Sequence, residues 1–184
     1  LQQYNAYQLF QLNEQSVLNL KGETDDLLKL TGKYFDETKV LSERLAAKNA
    51  NALFDFYVAK SRLEYLFGDR QKAYEYALLA EPMEDAMSGM MFVPEQLFFL
   101  SLAAAAIYPG AQKKLRKQIR RSIEKNSKRF EKWSYHCEAN YGHKYCIVKG
   151  LLSQIQGDTS GALASYRKAA VLAVNNAYLL EEAI

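Results

Sequence analysis

Between Gln112 and Trp133, apolar residues fall at Leu115, Ile119, Ile123, Phe130 and Trp133, with charged or polar residues between them. A period of about 3.6 predicts an amphipathic helix packed along one side. Similar segments fill most of the chain, and glycine punctuates them. Gly22, Gly68, Gly110 and Gly157 each close one segment and precede another, at spacings of 46, 42 and 47 residues. At such a corner glycine is expected to take the left-handed conformation that ends a helix, because it carries no Cβ to clash. Asp69 and Asp158 follow two of these glycines directly and are expected to cap the next helix. The pattern predicts helices near 1–20, 24–46, 50–67, 70–85, 94–108, 111–132, 141–156 and 159–174, with a last one starting at 177. Paired, these give hairpins at about 1–46, 50–85, 94–132 and 141–174 in one array over residues 1–184. The stretch Ser88–Gln96, "SGMMFVPEQ", is expected as the one long non-helical connection. Pro94 would start the following helix, with Met90, Met91 and Phe92 tucked onto the array.

A recurring helix–glycine turn–helix unit is the signature of a helical solenoid. The last unit, "GLLSQIQGDTSGALASYRKAA", places Gly150, Gly157, Ala162, Tyr166 and Ala169 at the small and aromatic positions of a tetratricopeptide repeat. Small residues let antiparallel helices approach, and the aromatic fills the gap beside the next hairpin. The second unit keeps Gly68, Ala73, Ala77 and Ala80, with Tyr76 one position off the aromatic slot. The expected fold class is therefore all-α, an α-α superhelix of about four tetratricopeptide-like hairpins.

Composition agrees with helix. Of 184 residues, only three are proline and nine glycine, too few for an all-β fold with many tight turns. The longest apolar run, Leu97–Tyr108, is 12 residues, short of the ~20 that cross a bilayer, so a buried helix is expected. Two cysteines make no disulfide framework. Both ends fall inside an apolar pattern, so a piece of a longer protein is expected.

From about Asp55 onward, the ordered blocks "YLFGDRQKAYEYA", "FVPEQLFFLSLAAAAIYP", "NSKRFEKWSYHCEANYGHKYCIVKGLL" and "GDTSGALASYRKAAVLA" resemble the helical-repeat region of large bacterial multidomain signalling proteins. Trp133, His136, Cys137, Asn140, Tyr141, His143, Lys144 and Tyr145 fit that family's tract, whereas Glu138-Ala139 stands where the family has Pro-Glu. In the family a protein-kinase-like domain and a P-loop ATPase precede the repeats, and a GAF sensor with a histidine kinase or another output follows. The resemblance implies a cytoplasmic connector between modules. It implies no kinase or ATPase activity for this segment, which carries no G-x-x-x-x-G-K-[ST], H-R-D or D-F-G motif.

Three features compete as sites. The stretch "SYHCEANYGHKYC" holds both histidines and both cysteines. A zinc site would use His136, Cys137, His143 and Cys146, but adjacent ligands such as His136 and Cys137 diverge unless the backbone bends sharply. A Cys137–His143 nucleophilic pair lacks an orienting third residue. The alternative is a helix corner through "HCEANYG", with Cys146, Gly150 and Ser153 as a small-residue seam, Cys137 buried, and the histidines and Asn140 bonding helix-end backbone. That alternative is adopted: no catalytic residue, no metal and no cofactor are assigned. A metal-binding or enzymatic domain centred on His136–Cys146 is the rival, and a module of an ATPase-type transcription regulator is a second.

The basic helix is the strongest charge feature. Residues 112–132 hold ten Lys/Arg and two Glu, net +8, within a chain of net +3. Lys113, Lys117, Arg120, Arg121 and Lys128 are its candidate contact residues. Solvation alone or an acidic neighbour is expected; nucleic acid is not, because the exposed side carries little aromatic interleaving. By analogy with the repeat's concave face, Asn19, Asp55, Arg62, Tyr65, Lys144 and Gln154 would line a groove for an extended or helical peptide. The expected partners are a protein, a peptide or neighbouring domains of the same chain.

Overall fold

The computed structural model describes residues 2–47, 49–87, 89–90 and 92–184. Leu1, Lys48, Ser88 and Met91 lie outside the described residues, and with them the expected packing of Met91. Among the described residues helix accounts for 83% and no strand forms, so the fold is all-α. The chain divides into two compact units, residues 1–100 and 101–184.

The first unit contains α1 (Gln2–Lys21), α2 (Glu37–Ala46), α3 (Ala50–Phe67), α4 (Arg70–Ala80), a 3-10 segment (Glu81–Met87) and the first part of α5 (Phe92–Ile107). Helix α3 is its centre: every residue from Leu53 to Ser61 is buried, as expected of a helix surrounded by packing. Asn49 caps α3 through the Ala52 N–H, and Asp69 caps α4 through the N–H groups of Gln71 and Lys72. The α3–α4 pair runs antiparallel. Ser61 Oγ donates to the Ala73 carbonyl at 2.9 Å, and Tyr57 stacks on Tyr76 at 6.3 Å. Helix α5 joins this unit through Gln96, whose Nε2 donates to the Ala77 carbonyl at 3.1 Å, and through Phe99, in edge contact with Tyr65 at 6.0 Å.

Residues 24–46 do not form the single helix expected. Gly22 (φ 76) ends α1, an irregular segment runs to Asp36, and helix resumes only at Glu37. Local polar groups offer the backbone better partners than a helix would. Asp26 Oδ1 accepts the Leu28 N–H at 2.9 Å in an Asx turn, and Asp36 caps α2 through the Thr38 N–H at 3.0 Å. Asn19, fully buried on α1, donates Nδ2 to the carbonyls of Asp26, Leu27 and Lys29 at 3.2, 3.0 and 2.9 Å. This segment, not Ser88–Gln96, is the longest non-helical connection among the described residues. Helix α5 starts at Phe92, and Met90 is 51% exposed instead of tucked in.

The second unit holds the remainder of α5, a 3-10 turn (Tyr108–Gly110), α6 (Lys113–His136), α7 (Glu138–Gln156), α8 (Thr159–Asn175) and the short α9 (Leu179–Ala183). Asn126 on α6 donates Nδ2 to Ser101 Oγ on α5 at 3.0 Å, both groups buried. The corner between α6 and α7 is a single non-helical residue, Cys137 (φ −151, ψ 81), tighter than the seven-residue turn expected. Gly157 (φ 84) ends α7 in the left-handed conformation, its N–H bonding the Gln154 carbonyl at 3.1 Å and the Asp158 N–H bonding the Ser153 carbonyl at 2.9 Å. Asp158 then caps α8 through the Gly161 N–H. Gly68 and Gly110 do not adopt the left-handed conformation; only Gly22 and Gly157 of the four do. A Cβ on Gly68 would crowd Glu64 Oε2 and the Leu28 methyls, so the ends of those side chains would have to shift.

The α7–α8 seam is small against aromatic. A Cβ on Gly150 would meet the Tyr166 ring at 2.5 Å, so Tyr166 fills the seam of its own hairpin. Phe92–Gly110 is the one stretch among the described residues long and apolar enough to cross a bilayer by length and composition. Most of its apolar window, 61%, is buried inside the fold, a condition a core helix also meets.

Two measurements check this account. Asn19→Ala leaves three part-buried carbonyls without their shared donor and is expected to lower unfolding stability by about 2–3 kcal/mol in a urea titration. Gly150→Ala is expected to cost about 1–2 kcal/mol, and most of that loss is expected to vanish in a Tyr166→Ala background.

Candidate functional site

Helices α6 and α7 carry the histidine–cysteine stretch, and the single-residue corner sends its members in different directions. His136 is exposed, its ring in edge contact with Tyr135 at 5.2 Å. Cys137 is half-buried in the corner, less enclosed than expected. Asn140 accepts a hydrogen bond from the Tyr178 hydroxyl at 3.2 Å, and His143 is fully buried with its ring stacked on Tyr178 at 4.1 Å. Neither Asn140 nor His143 serves a helix end as the sequence suggested. Cys146 is buried in the α7 seam, and burial pushes its thiol pKa up, away from the thiolate a nucleophile or zinc ligand needs. Among the described residues no three His, Cys, Asp or Glu side chains are grouped so as to hold a metal ion.

The chemistry of this region is instead a buried ion contact. Lys144, 4% exposed, pairs with Glu181 of α9, 8% exposed. His143 Nε2 lies 3.7 Å from the same carboxylate oxygen, beyond hydrogen-bond range. Burial alone would raise the pKa of Glu181. The Lys144 ammonium, bonded to the carboxylate beside the His143 ring, outweighs burial and holds the carboxyl at about 2, below its ordinary 4.5. Helix α9 is only five residues long, so its position depends on this contact and on Tyr178 beside it.

The six groove candidates are divided between the units and differ in environment. Asn19 and Asp55 are buried in the first unit, and Asn19 is spent on the 24–36 segment. Arg62 is half-buried and donates Nη2 to Ser16 Oγ at 2.7 Å. Tyr65 is half-buried, with the Arg70 guanidinium 4.0 Å from its ring centre. In the second unit Lys144 is buried against Glu181, whereas Gln154 is exposed and accepts from the Tyr166 hydroxyl at 2.8 Å.

The α6 candidates sit as the periodicity implies. Lys113, Lys117, Arg120, Arg121 and Lys128 are all exposed, while Ile119, Ile123 and Phe130 on the opposite face are fully buried. The two glutamates of this helix are engaged: Glu124 pairs with Arg120 at 3.5 Å and Glu131 accepts from the Tyr145 hydroxyl at 3.0 Å. The charge is segregated between units. Residues 1–100 carry ten basic and fifteen acidic side chains, net −5; residues 101–184 carry fourteen and six, net +8.

Two features escaped the sequence. Tyr135, at the end of α6, is 86% exposed. A half-open recess of about 320 Å³ is lined by Glu64 of α3 and by Lys72, Glu75, Tyr76 and Leu79 of α4. Tyr76 of its lining also borders buried charge: Lys60 lies 5.7 Å from the Tyr76 ring centre and pairs with Glu37 at 3.2 Å. Burial, followed by the nearby Glu37 and Glu64 carboxylates, raises the Tyr76 pKa and keeps the phenol protonated. The spacing 72, 75, 76, 79 on α4 is the signal that could have located this recess.

The Glu181 contact sets a pH dependence. A carboxyl whose folded pKa lies below its unfolded value contributes stability above the unfolded pKa and loses it as pH falls through the folded one. Stability of the second unit is therefore expected to decline between about pH 4.5 and about pH 2. Glu181→Gln removes that portion of the profile in acid-titration circular dichroism. At neutral pH it costs up to about 3 kcal/mol by leaving the Lys144 charge buried, and Lys144→Met with Glu181→Leu restores most of it.

Comparisons with protein-family models, with curated proteins and with solved structures give no match to this chain.

Proposed function

We propose that this chain is a non-catalytic helical-repeat module, a tetratricopeptide-like α-α solenoid of about four hairpins. It makes protein–protein or interdomain contacts within a cytoplasmic bacterial signal-transduction protein. The observation that carries this reading is the use made of the chemistry-bearing side chains. His143, Lys144 and Glu181 fasten α9 to α7. Lys60 and Glu37 fasten α2 and the 24–36 segment to α3, and Cys146 lines a packing seam. Such groups hold helices together and present no reacting pair. What faces outward is shape and charge, namely the α3–α4 recess and the basic face of α6. The α3–α4 and α7–α8 hairpins support the repeat assignment, because both turn within two residues and both place Asp at the following N-cap.

The test is calorimetric titration of the chain with the separately expressed polypeptide that its reading frame encodes on either side, together with an ATPase assay. Binding of a flanking stretch at roughly micromolar strength, with no ATP turnover, is the expected result. ATP turnover, or a zinc stoichiometry near one that is lost in Cys137→Ser, would replace this reading with the enzymatic or metal-binding rival. Absence of binding to both flanking stretches removes the interdomain form.

A further inference from the structure

The outward face of α6 is largely open: among the described residues its contacts include the Arg120–Glu124 pair and the bond from the Tyr145 hydroxyl to Glu131, both glutamates lying within the same arc as the cations. At about 100° per residue, Lys113, Lys117, Arg120, Arg121, Lys125 and Lys128 fall within an arc of roughly 140°, and Tyr135 lies near its middle. All six cations are exposed. The row from Lys113 to Tyr135 extends roughly 33 Å at the rise of an α-helix. Tyr135 is 86% exposed, the highest value among the large apolar side chains described.

The geometry points to single-stranded nucleic acid as the occupant of this face: its phosphodiester backbone along the cation row, with a base stacked on the Tyr135 ring. Charge complementarity is the first argument. The helix carries ten cations and two glutamates, and both glutamates are already engaged with Arg120 and Tyr145. Phosphate contacts of this kind come chiefly from Lys and Arg and need no base-specific geometry.

The second argument is what the face omits. Before Tyr135 the arc contains no apolar side chain, whereas protein interfaces deplete Lys at their centres and rely on apolar or aromatic anchors. A membrane surface fits less well. An interfacial helix buries its apolar face in lipid, and here Ile119, Ile123 and Phe130 are fully buried within the fold. The third argument is the ring itself. An exposed tyrosine closing a basic row is the combination that sequence-tolerant single-strand binding uses, charge along the backbone and a π-face for a base. Tyr135 supplies the exposed aromatic that the sequence of this face does not reveal. This inference does not depend on the repeat reading.

The test uses the whole 184-residue chain and a fluorescein-labelled oligothymidylate of about 20 nucleotides, read by anisotropy. The expected result is binding whose log affinity falls linearly and steeply with log salt, by about three per decade if four or five phosphates are engaged. Arg120→Glu with Arg121→Glu should weaken it at least about tenfold, as should Lys117→Glu with Lys128→Glu, and circular dichroism should show the same helix content. Tyr135→Ala should weaken single-strand binding about tenfold and leave binding to the duplex of the same length unchanged. No binding at low salt, or affinity unchanged in both charge reversals, overturns the proposal. So does a Tyr135→Ala protein that binds as wild type, or competition by polyglutamate or phosphatidylserine vesicles as effective as that by unlabelled oligothymidylate.

Discussion

Helices joined by only one or two residues are held close at the turn, and where they pack on one another their facing side chains must fit. That constraint governs both units. It is satisfied where one helix offers small side chains and the other an aromatic. Gly150 lies under the Tyr166 ring at a distance no Cβ would allow, and Ala73, Ala77 and Ala80 of α4 are almost wholly buried. Close approach of this kind brings dispersion contacts across the full seam and excludes water from it. The position of every outward group, on α4 or on α6, is inherited from these seams.

Polar groups act as local fasteners where the short seams end. Asn19 gathers three carbonyls of the 24–36 segment, Lys60 binds the Leu28 carbonyl and Glu37, and Lys144 binds Glu181. Each holds an element too short or too irregular to dock by apolar burial alone: the loop, the ten-residue α2 and the five-residue α9. A buried ion pair of this kind adds little net stability over an apolar pair of equal size, but losing one partner is costly. The fasteners therefore specify where the short elements go more than they raise the stability of the whole.

The periodic helices were legible because their limits are written in local chemistry. Asp69 and Asp158 cap α4 and α8, Gly157 ends α7, and the start and end of α3 match the apolar pattern. The misses have a common cause in contacts between residues distant in sequence or polar competition nearby. Residues 24–36 read as helix on composition, but Asp26 and Asp36 bond neighbouring backbone N–H groups, and Asn19 of α1 binds the Asp26, Leu27 and Lys29 carbonyls. Asn19 and Lys144 read as surface residues because nothing in their neighbourhood announces a buried acceptor; their partners arrive from the following loop and from a position 37 residues on. The corner at Cys137 was drawn too long because "HCEANYG" contains turn-forming residues that α7 absorbs into its first two turns. Nothing in the sequence around Tyr135 marks it as exposed. Its exposure depends on the azimuth of α6, which Ile119, Ile123 and Phe130 fix.

That azimuth gives the basic face its energetic meaning. Helix α6 begins with Lys113 and Lys114 beside the positive end of the helix dipole, and its N-cap residue Gln112 makes no side-chain cap. Along the helix, pairs such as Lys113–Lys117, Lys117–Arg121, Arg121–Lys125 and Lys128–Lys132 place like charges one turn apart. Six such pairs together cost on the order of 2 kcal/mol in isolation. The helix is retained because Ile119, Ile123 and Phe130 are fully buried and Asn126 bonds Ser101 beneath them. The apolar face thus holds in place an outward face that opposes the fold. Arg116 is tied back to the Tyr108 and Pro109 carbonyls, but the row from Lys113 to Lys132 contributes repulsion and little internal contact. A phosphate backbone laid along this row, as proposed above, would offset that repulsion from outside the molecule.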